Sequence, residues 1–390
     1  MPQPSARPAV QSLSASLIRD VANTAMGREG VLPFWFGESD QPTPGFIREA
    51  AMASLQQGET FYSQNLGRPW LREGIASYLS HLHHRPFTAE QIGVTGSGVS
   101  ALMLAMQLVL SPGDRVVAVT PLWPNLVEIP RVLSAHVERV PLQITDQGWQ
   151  LDLQRLLDAL TPDTRLLLIN SPNNPTGWTI TDDEQRIVLE HCRKHGIWIL
   201  ADDVYERLVY RSGLDSAPSF LAKKEDDDLV IGVNSFSKAW CMTGWRAGWL
   251  TIPAALADDL AKLVEYNTSC VPEFVQRGAM AAIQQGEPHV GQLRQQLGVQ
   301  RQLMVEGLTA IDGVTLPYAD GAMYAFFRIA GFSDSLALAR ALISEVGLGL
   351  APGRAFGEEG EGWLRWCYAT SPVRLQEGLQ RLNDFVRRQR

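Results

Sequence analysis

Cysteine is scarce in this 390-residue sequence, with only Cys192, Cys241, Cys270 and Cys367. None forms a C-x-x-C pair and none has zinc-ligand spacing, so neither a thiol redox motif nor a cysteine-held zinc is expected. Unpaired thiols suit a reducing compartment, and a cytoplasmic location is expected. Long apolar runs are also missing. The longest, Ala101 to Leu110, is broken by Gln107 and falls short of the roughly 20 residues that a membrane helix needs. No apolar core of a secretory signal is present. Positive charge is in deficit: 34 Lys and Arg against 42 Asp and Glu leave a net charge of −8. That balance argues against nucleic acid or an anionic membrane as the main partner. His81, His83 and His84 lack acidic or cysteine companions at ligand spacing. His191 and His195 lack the glutamate of a metalloprotease motif, so no metal site is expected. Acids are absent up to Arg19, and this serine-containing start reads as a flexible N-terminal arm rather than a transit peptide.

Apolar residues make up 45% of the chain and charged residues 19%, as in an ordinary globular protein. The length suffices for two domains. The expected division is an arm with part of a small domain at 1–40, a large domain at 41–294 and a small C-terminal domain at 295–390. Arg115–Thr120, Arg165–Asn170, Ile197–Ala201 and Leu229–Val233 are rich in Val, Ile and Leu and do not alternate. Such runs suit parallel strands covered on both faces. Helical patterns lie at Ser100–Leu110, Leu151–Leu160 and Asp182–His195, which implies an α/β sheet. After residue 288 a helix to Ile311, the run Gly321-Ala-Met-Tyr-Ala-Phe-Phe-Arg328, a helix near Asp334–Val346, a strand at Trp363–Tyr368 and a final helix suggest a smaller α+β domain.

Ligands of open α/β sheets bind beyond the carboxyl ends of the strands. Four strand ends here carry chemistry. Pro121-Leu-Trp123 follows Val119, Asn170-Ser-Pro-Asn-Asn-Pro-Thr-Gly177 follows Ile169, Asp202-Asp-Val-Tyr205 follows Leu200, and Ser235-Phe-Ser-Lys238 follows Val233. A buried carboxylate such as Asp202 needs a partner. Lysine adapts its pKa when buried and can then act as a nucleophile. Thr95-Gly-Ser-Gly-Val99 opens an apolar helix, and helix N-termini hold anions through free N–H groups.

Residues 235–249, Ser-Phe-Ser-Lys-Ala-Trp-Cys-Met-Thr-Gly-Trp-Arg-Ala-Gly-Trp, resemble the cofactor-lysine motif of the class I/II aminotransferases, fold-type I enzymes dependent on pyridoxal 5'-phosphate (PLP). Asn173-Asn-Pro-Thr-Gly177 and Asp202-Asp-Val-Tyr205 match the family's next signatures. Phe36-Gly-Glu-Ser-Asp-Gln-Pro-Thr-Pro44, Tyr62 with Gly67-Arg-Pro-Trp-Leu-Arg72, and Leu364-Arg365 with Ala369-Thr370 match the terminal ones. Six motifs in order, over roughly residues 30–380, are far more specific than any one tetrapeptide.

The resemblance implies a three-layer PLP-transferase-like large domain with a mostly parallel sheet, plus a smaller α+β domain. It implies that Lys238 holds PLP as a Schiff base and then serves as general base. Asp202 would pair with the ring nitrogen, and Tyr205 and Asn174 would bond the phenolic oxygen. Trp123 would stack on the ring. Ser97, Gly98, Val99, Ser235, Ser237 and Arg246 would cradle the phosphate, with Tyr62 reaching it from a neighbouring subunit in a homodimer that shares its active sites. Arg365 would bind the substrate α-carboxylate, with Gly37 opposite. The plainer readings are a surface salt bridge for Arg365, a turn residue for Asn174, a helix cap for Asp202 and core packing for Trp123.

The same core also runs carbon–sulfur β-elimination, racemisation and aminocyclopropane-carboxylate formation, so fold does not fix reaction. Transamination between an L-amino acid and a 2-oxo acid is expected, and a β-lyase is the alternative. A PLP-sensing regulator needs a DNA-binding head before Phe34 and basic clustering, and neither is expected here. Some aspartate-using relatives place a lysine where this chain has Val99, and others an arginine near Val264–Glu273, where this chain has none. Both absences lean towards a neutral or aromatic substrate, as do the nearby aromatics Phe34, Trp35, Phe36 and Trp123.

Overall fold

Seven runs of residues form one sheet in a computed structural model that describes residues 4–389. They are β1 (Ile92–Thr95), β2 (Arg115–Thr120), β3 (His136–Pro141), β4 (Thr164–Asn170), β5 (Trp198–Asp202), β6 (Val230–Ser235) and β7 (Gly248–Thr251). Their order across the sheet is β1-β7-β6-β5-β4-β2-β3. β7 runs antiparallel to both neighbours, and the remaining pairs are parallel.

Side chains alternate across a strand, and here the two faces feed separate cores. Val117, Val119, Leu167 and Ile169 join one buried cluster. Val116, Ala118, Leu166 and Leu168 join the other. Helices cover both clusters, which makes the three layers expected from non-alternating apolar runs. The helix Asp182–His195 has the predicted bounds because its ends are marked. Thr181 and Glu184 form a capping box, acids fill the first turn, bases fill the last, and Gly196 closes it at φ 68°.

The smaller sheet is antiparallel, built from Val314–Thr315, Tyr324–Ile329, Trp363–Cys367 and Ala351–Pro352. Its register sets Phe326 opposite Arg365 and Tyr324 opposite Cys367. The helices Ser335–Val346 and Pro372–Arg388 each follow one of its two inner strands, Tyr324–Ile329 and Trp363–Cys367, and Phe326 stacks on Trp363 with ring centroids 5.4 Å apart.

The N-terminal arm, whose first three residues lie outside those described, is joined to the body at its C-terminal end. Leu17–Asn23 is a helix capped by Ser16, and it buries Ile18, Val21 and Ala22 against Ala351–Pro352 and Ser335–Val346. Upstream, Arg7 Nη2 donates to Val132 O at 2.6 Å and Arg131 Nη2 to Ser12 O at 3.0 Å. The composition of this start resembles a loop, but Ile18, Val21 and Ala22 recur at helical spacing and are buried. Among the described residues no helix is long and apolar enough to cross a membrane.

Candidate active site

Parallel pairing sets Asn170 beside Asp202, and Asp202 beside Val233, so the carboxyl ends of β4, β5 and β6 lie level. A cavity of about 680 Å³ opens there. It is lined by Gly37, Gly98, Val99, Trp123, Asn174 and Asp202, and further by Tyr205, Ser235, Ser237, Lys238, Arg246 and Arg365. Segments more than 300 residues apart in sequence thus converge at the one edge where a doubly covered sheet leaves strand ends free.

Asp202 closes β5 and is buried, and its Oδ1 accepts one N–H, from Val204 at 3.4 Å. Burial pushes its pKa up to about 7, while that N–H and the amine of Lys238 oppose the shift. Asp203 points to the other side and accepts from the Ser219 hydroxyl at 2.7 Å. The extended backbone therefore separates the two acids as the sequence predicted. Lys238 Nζ donates to the carbonyl of Gly37 at 2.5 Å and lies 5.5 Å from the centre of the Tyr205 ring. Desolvation lowers its pKa to about 8, within reach of a base that works near neutrality.

Arg365, 2% exposed, comes from the smaller sheet. Its Nη1 donates to Asn174 Oδ1 at 3.0 Å, and its Nη2 donates to the carbonyl of Trp35. Its buried Nε has no partner, and its guanidinium carbon lies 4.5 Å from the Tyr324 ring centre. Asn174 is held in turn, since its N–H reaches Asn170 Oδ1 at 2.8 Å. The surface-salt-bridge and plain-turn readings of these residues do not describe this arrangement.

Groups able to hold an anion gather nearby. Ser97 is buried, caps the helix Gly98–Val109 and accepts from Ser100 N at 2.9 Å. It does not itself line the cavity, whereas Gly98 and Val99 do. The Ser235 hydroxyl donates to that of Ser237 at 2.9 Å. Arg246 follows in the left-handed region at φ 53°, a conformation that non-glycine residues rarely adopt without a compensating role. Its Nη1 donates to Thr243 O at 2.6 Å. Tyr62 is not in this group. It stands on the surface, 87% exposed, beside Phe61 at 83%.

Tyr324 and Arg19 are among the cavity residues that escaped the sequence reading. Tyr324 shares a hydroxyl–hydroxyl hydrogen bond of 2.6 Å with Tyr205, and a side chain at residue 37 would collide with it. Arg19 enters from the helix Leu17–Asn23. Neither sits at the end of a parallel strand, which was the signal that found the others. Phe34 and Trp35, read as near the site, are buried at 3% and do not line this cavity, and the Phe34 and Trp366 ring centroids are 4.9 Å apart. Phe36 and Trp123 do line it.

A buried carboxylate short of a cation, a desolvated amine and a cluster of hydroxyls at a helix N-terminus fit a cofactor bearing a ring cation, an aldehyde and a phosphate. With the mostly parallel sheet, they define the PLP-dependent transferase class. The family model for class I and II aminotransferases matches residues 30–382, and the chain belongs to that family. An aspartate aminotransferase of Thermotoga maritima is 33% identical over 359 residues, covering 92% of each chain. A solved aspartate aminotransferase from Thermotoga maritima superposes with a TM-score of 0.91 at 30% identity, covering 98% of this chain and 100% of that one. A solved aromatic aminotransferase from Pyrococcus horikoshii gives 0.87 at 28% identity, with 95% and 99% covered. The protein is thus an enzyme that uses PLP to transfer amino groups.

Proposed function

We propose that this enzyme moves the amino group of a neutral or aromatic L-amino acid to a 2-oxo acid such as pyruvate or 2-oxoglutarate. The observation that carries the reading is Arg365, a buried cation in the same cavity as Lys238 with an N–H left unpartnered. A planar guanidinium grips a carboxylate at two oxygens, and every α-amino acid and 2-oxo acid supplies that carboxylate. Gly37 lines the same cavity, and its carbonyl holds Lys238.

PLP, when bound, supplies an electron sink for the pair of the substrate's α-C–H bond. Asp202 would pair with the ring nitrogen and keep it protonated, which supplies the cation that its buried carboxylate lacks. Tyr205 and Asn174 would bond the phenolic oxygen, with Tyr324 orienting the Tyr205 hydroxyl at 2.6 Å. Trp123 would stack on the ring. Gly98, Val99, Ser235, Ser237 and Arg246 would cradle the phosphate, with Ser97 capping the helix whose N-terminus faces it. Lys238, its pKa lowered to about 8, would serve as the base that takes the proton from the substrate α-carbon. We assign Tyr62 to the phosphate of a second subunit in a cytoplasmic homodimer, because its 87% exposure leaves it free to cross an interface.

The apolar wall of Ile18, Phe36, Leu102 and Trp123 supports a neutral or aromatic donor. The named relatives divide between aspartate and aromatic substrates, so they leave that choice open. A panel of donors tests it. The highest kcat/KM is expected for neutral or aromatic amino acids, and a clear preference for aspartate or glutamate as donor would refute the substrate part and leave transamination standing.

A further inference from the structure

Resting on the assignment of Arg365 to the substrate carboxylate, we propose that Glu359 is a positioning residue that, paired with Arg139, holds Arg365 in place through the ring of Phe356. Arg365 reaches the cavity from the smaller sheet, whereas Trp123, Asp202 and Lys238 come from strand ends of the larger one. Substrate is gripped by one sheet and reacts over the other, so the distance between the two must be fixed. A carboxylate that takes no part in the chemistry ties them together beside the site.

Glu359 lies on the short turn Glu358–Gly360, ahead of the strand Trp363–Cys367. Arg139 lies on the edge strand β3. Its Nε and Nη2 donate to the two oxygens of Glu359 at 2.8 Å each, a bidentate pair. The Thr120 hydroxyl, at the end of β2, donates to the same Oε1 at 3.1 Å. An exposed ion pair would hold little, but these side chains are only 27% and 21% exposed, and three donors converge on one carboxylate. Burial disfavours its charge, yet Arg139 and Thr120 outweigh that and bring the pKa of Glu359 below the usual value.

The same arginine reaches back to Phe356, on the preceding turn. The Phe356 carbonyl accepts from Leu122 N at 3.0 Å and from Arg139 Nη2 at 3.2 Å. Gly357 makes this approach possible. Its φ is 119°, and a Cβ there would collide with Arg139 Nη2. The Phe356 side chain is buried, and its ring centre lies 5.0 Å from the guanidinium carbon of Arg365. Arg365 thus packs against two rings, Tyr324 from its own sheet and Phe356 from the tethered turn. Leu122 adjoins Trp123 in sequence. One set of bonds therefore fixes the turn that carries Phe356 to the strand end that carries Trp123, and the guanidinium is placed between them.

The test follows an unreactive monocarboxylate, butyrate, by the cofactor absorption band of the PLP-loaded enzyme, and separately the binding of PLP to the cofactor-free protein. Glu359→Gln and Arg139→Gln are each expected to weaken butyrate by about fivefold or more, the order for breaking a partly buried ion pair. KM for the amino acid should rise alongside, with kcat and PLP affinity within about twofold of wild type. The double variant should be no worse than the weaker single, because the two residues act as one unit. Glu359→Asp, which keeps the charge on a shorter stem, should be intermediate. Phe356→Leu should weaken butyrate with the ion pair intact. Arg365→Met separates this proposal from the reading beneath it. Butyrate binding unchanged in Arg365→Met would remove the carboxylate site itself, and this proposal with it. Butyrate weakened by Arg365→Met but unchanged in Glu359→Gln and Arg139→Gln would overturn this proposal alone. So would an equal loss of butyrate and PLP affinity, which marks general loosening, or losses that multiply in the double variant.

Discussion

The amine of Lys238 donates to the carbonyl oxygen of Gly37 at 2.5 Å, across 201 residues of sequence. One partner follows β6, and the other lies on the segment leading in from the N-terminal helix. Residue 37 must be glycine for this approach, because any Cβ there would strike the Tyr324 hydroxyl. The bond holds the nitrogen inside the cavity, where desolvation lowers its pKa.

That geometry makes Lys238 the expected point of attachment. Borohydride treatment of the PLP-loaded enzyme, followed by peptide mapping, should place the pyridoxyl group on Lys238. Lys238→Ala should take up no label. A label on any other lysine would show the assignment to be wrong.

Asp202 gives a second prediction with two readouts. Asp202→Asn should bind PLP yet lose about three decades of turnover, or about 4 kcal/mol, because a neutral ring nitrogen is a poor electron sink. In the cofactor-free protein the folded-state pKa of Asp202 is raised, from 3.8 to about 7. Between those values the folded state holds the extra proton, so this group's contribution is present below pH 4 and lost as pH rises through 7. The stability of Asp202→Asn relative to wild type should therefore rise over that window, by something on the order of 4 kcal/mol. Denaturant midpoints at pH 4 and pH 8 measure it, and a flat difference would mean that the carboxylate is not desolvated as described.

The reach of the sequence reading differs between elements. Asp182–His195 was legible to the residue because its capping box and closing glycine are local signals. Arg115–Thr120 was legible because both faces of the strand are buried, which leaves an unbroken apolar run. The edge strand His136–Pro141 was missed, since its outer residues alternate with polar ones. So was Gly248–Thr251, which reads only as the tail of the lysine motif. Asp202, Asn174 and Lys238 could be placed because parallel strands deliver their carboxyl ends to one crevice. Arg19 and Tyr324 could not, because long-range packing of other elements carries them there, and no local pattern encodes that.

Tyr62 is the residue that a single subunit leaves without a role. If it completes the phosphate site of a second copy, Lys238→Ala and Tyr62→Ala should partly rescue each other when mixed and reassembled. A hybrid dimer would carry one intact site in two, so recovery of about a quarter of wild-type activity is expected at equal mixing, from half of the dimers being hybrid. Hybrid dimers with no recovered activity would count against shared sites.

The most direct test of the account is a single half-reaction. The PLP-loaded enzyme is mixed with one amino acid and no acceptor, and the cofactor spectrum and released products are followed together. Transamination predicts one equivalent of 2-oxo acid per site, a stable change of the cofactor band, and its full return when a 2-oxo acid is added. Continuous release of pyruvate and ammonia from cystathionine, with the band unchanged and no acceptor required, would contradict it and make the enzyme a lyase.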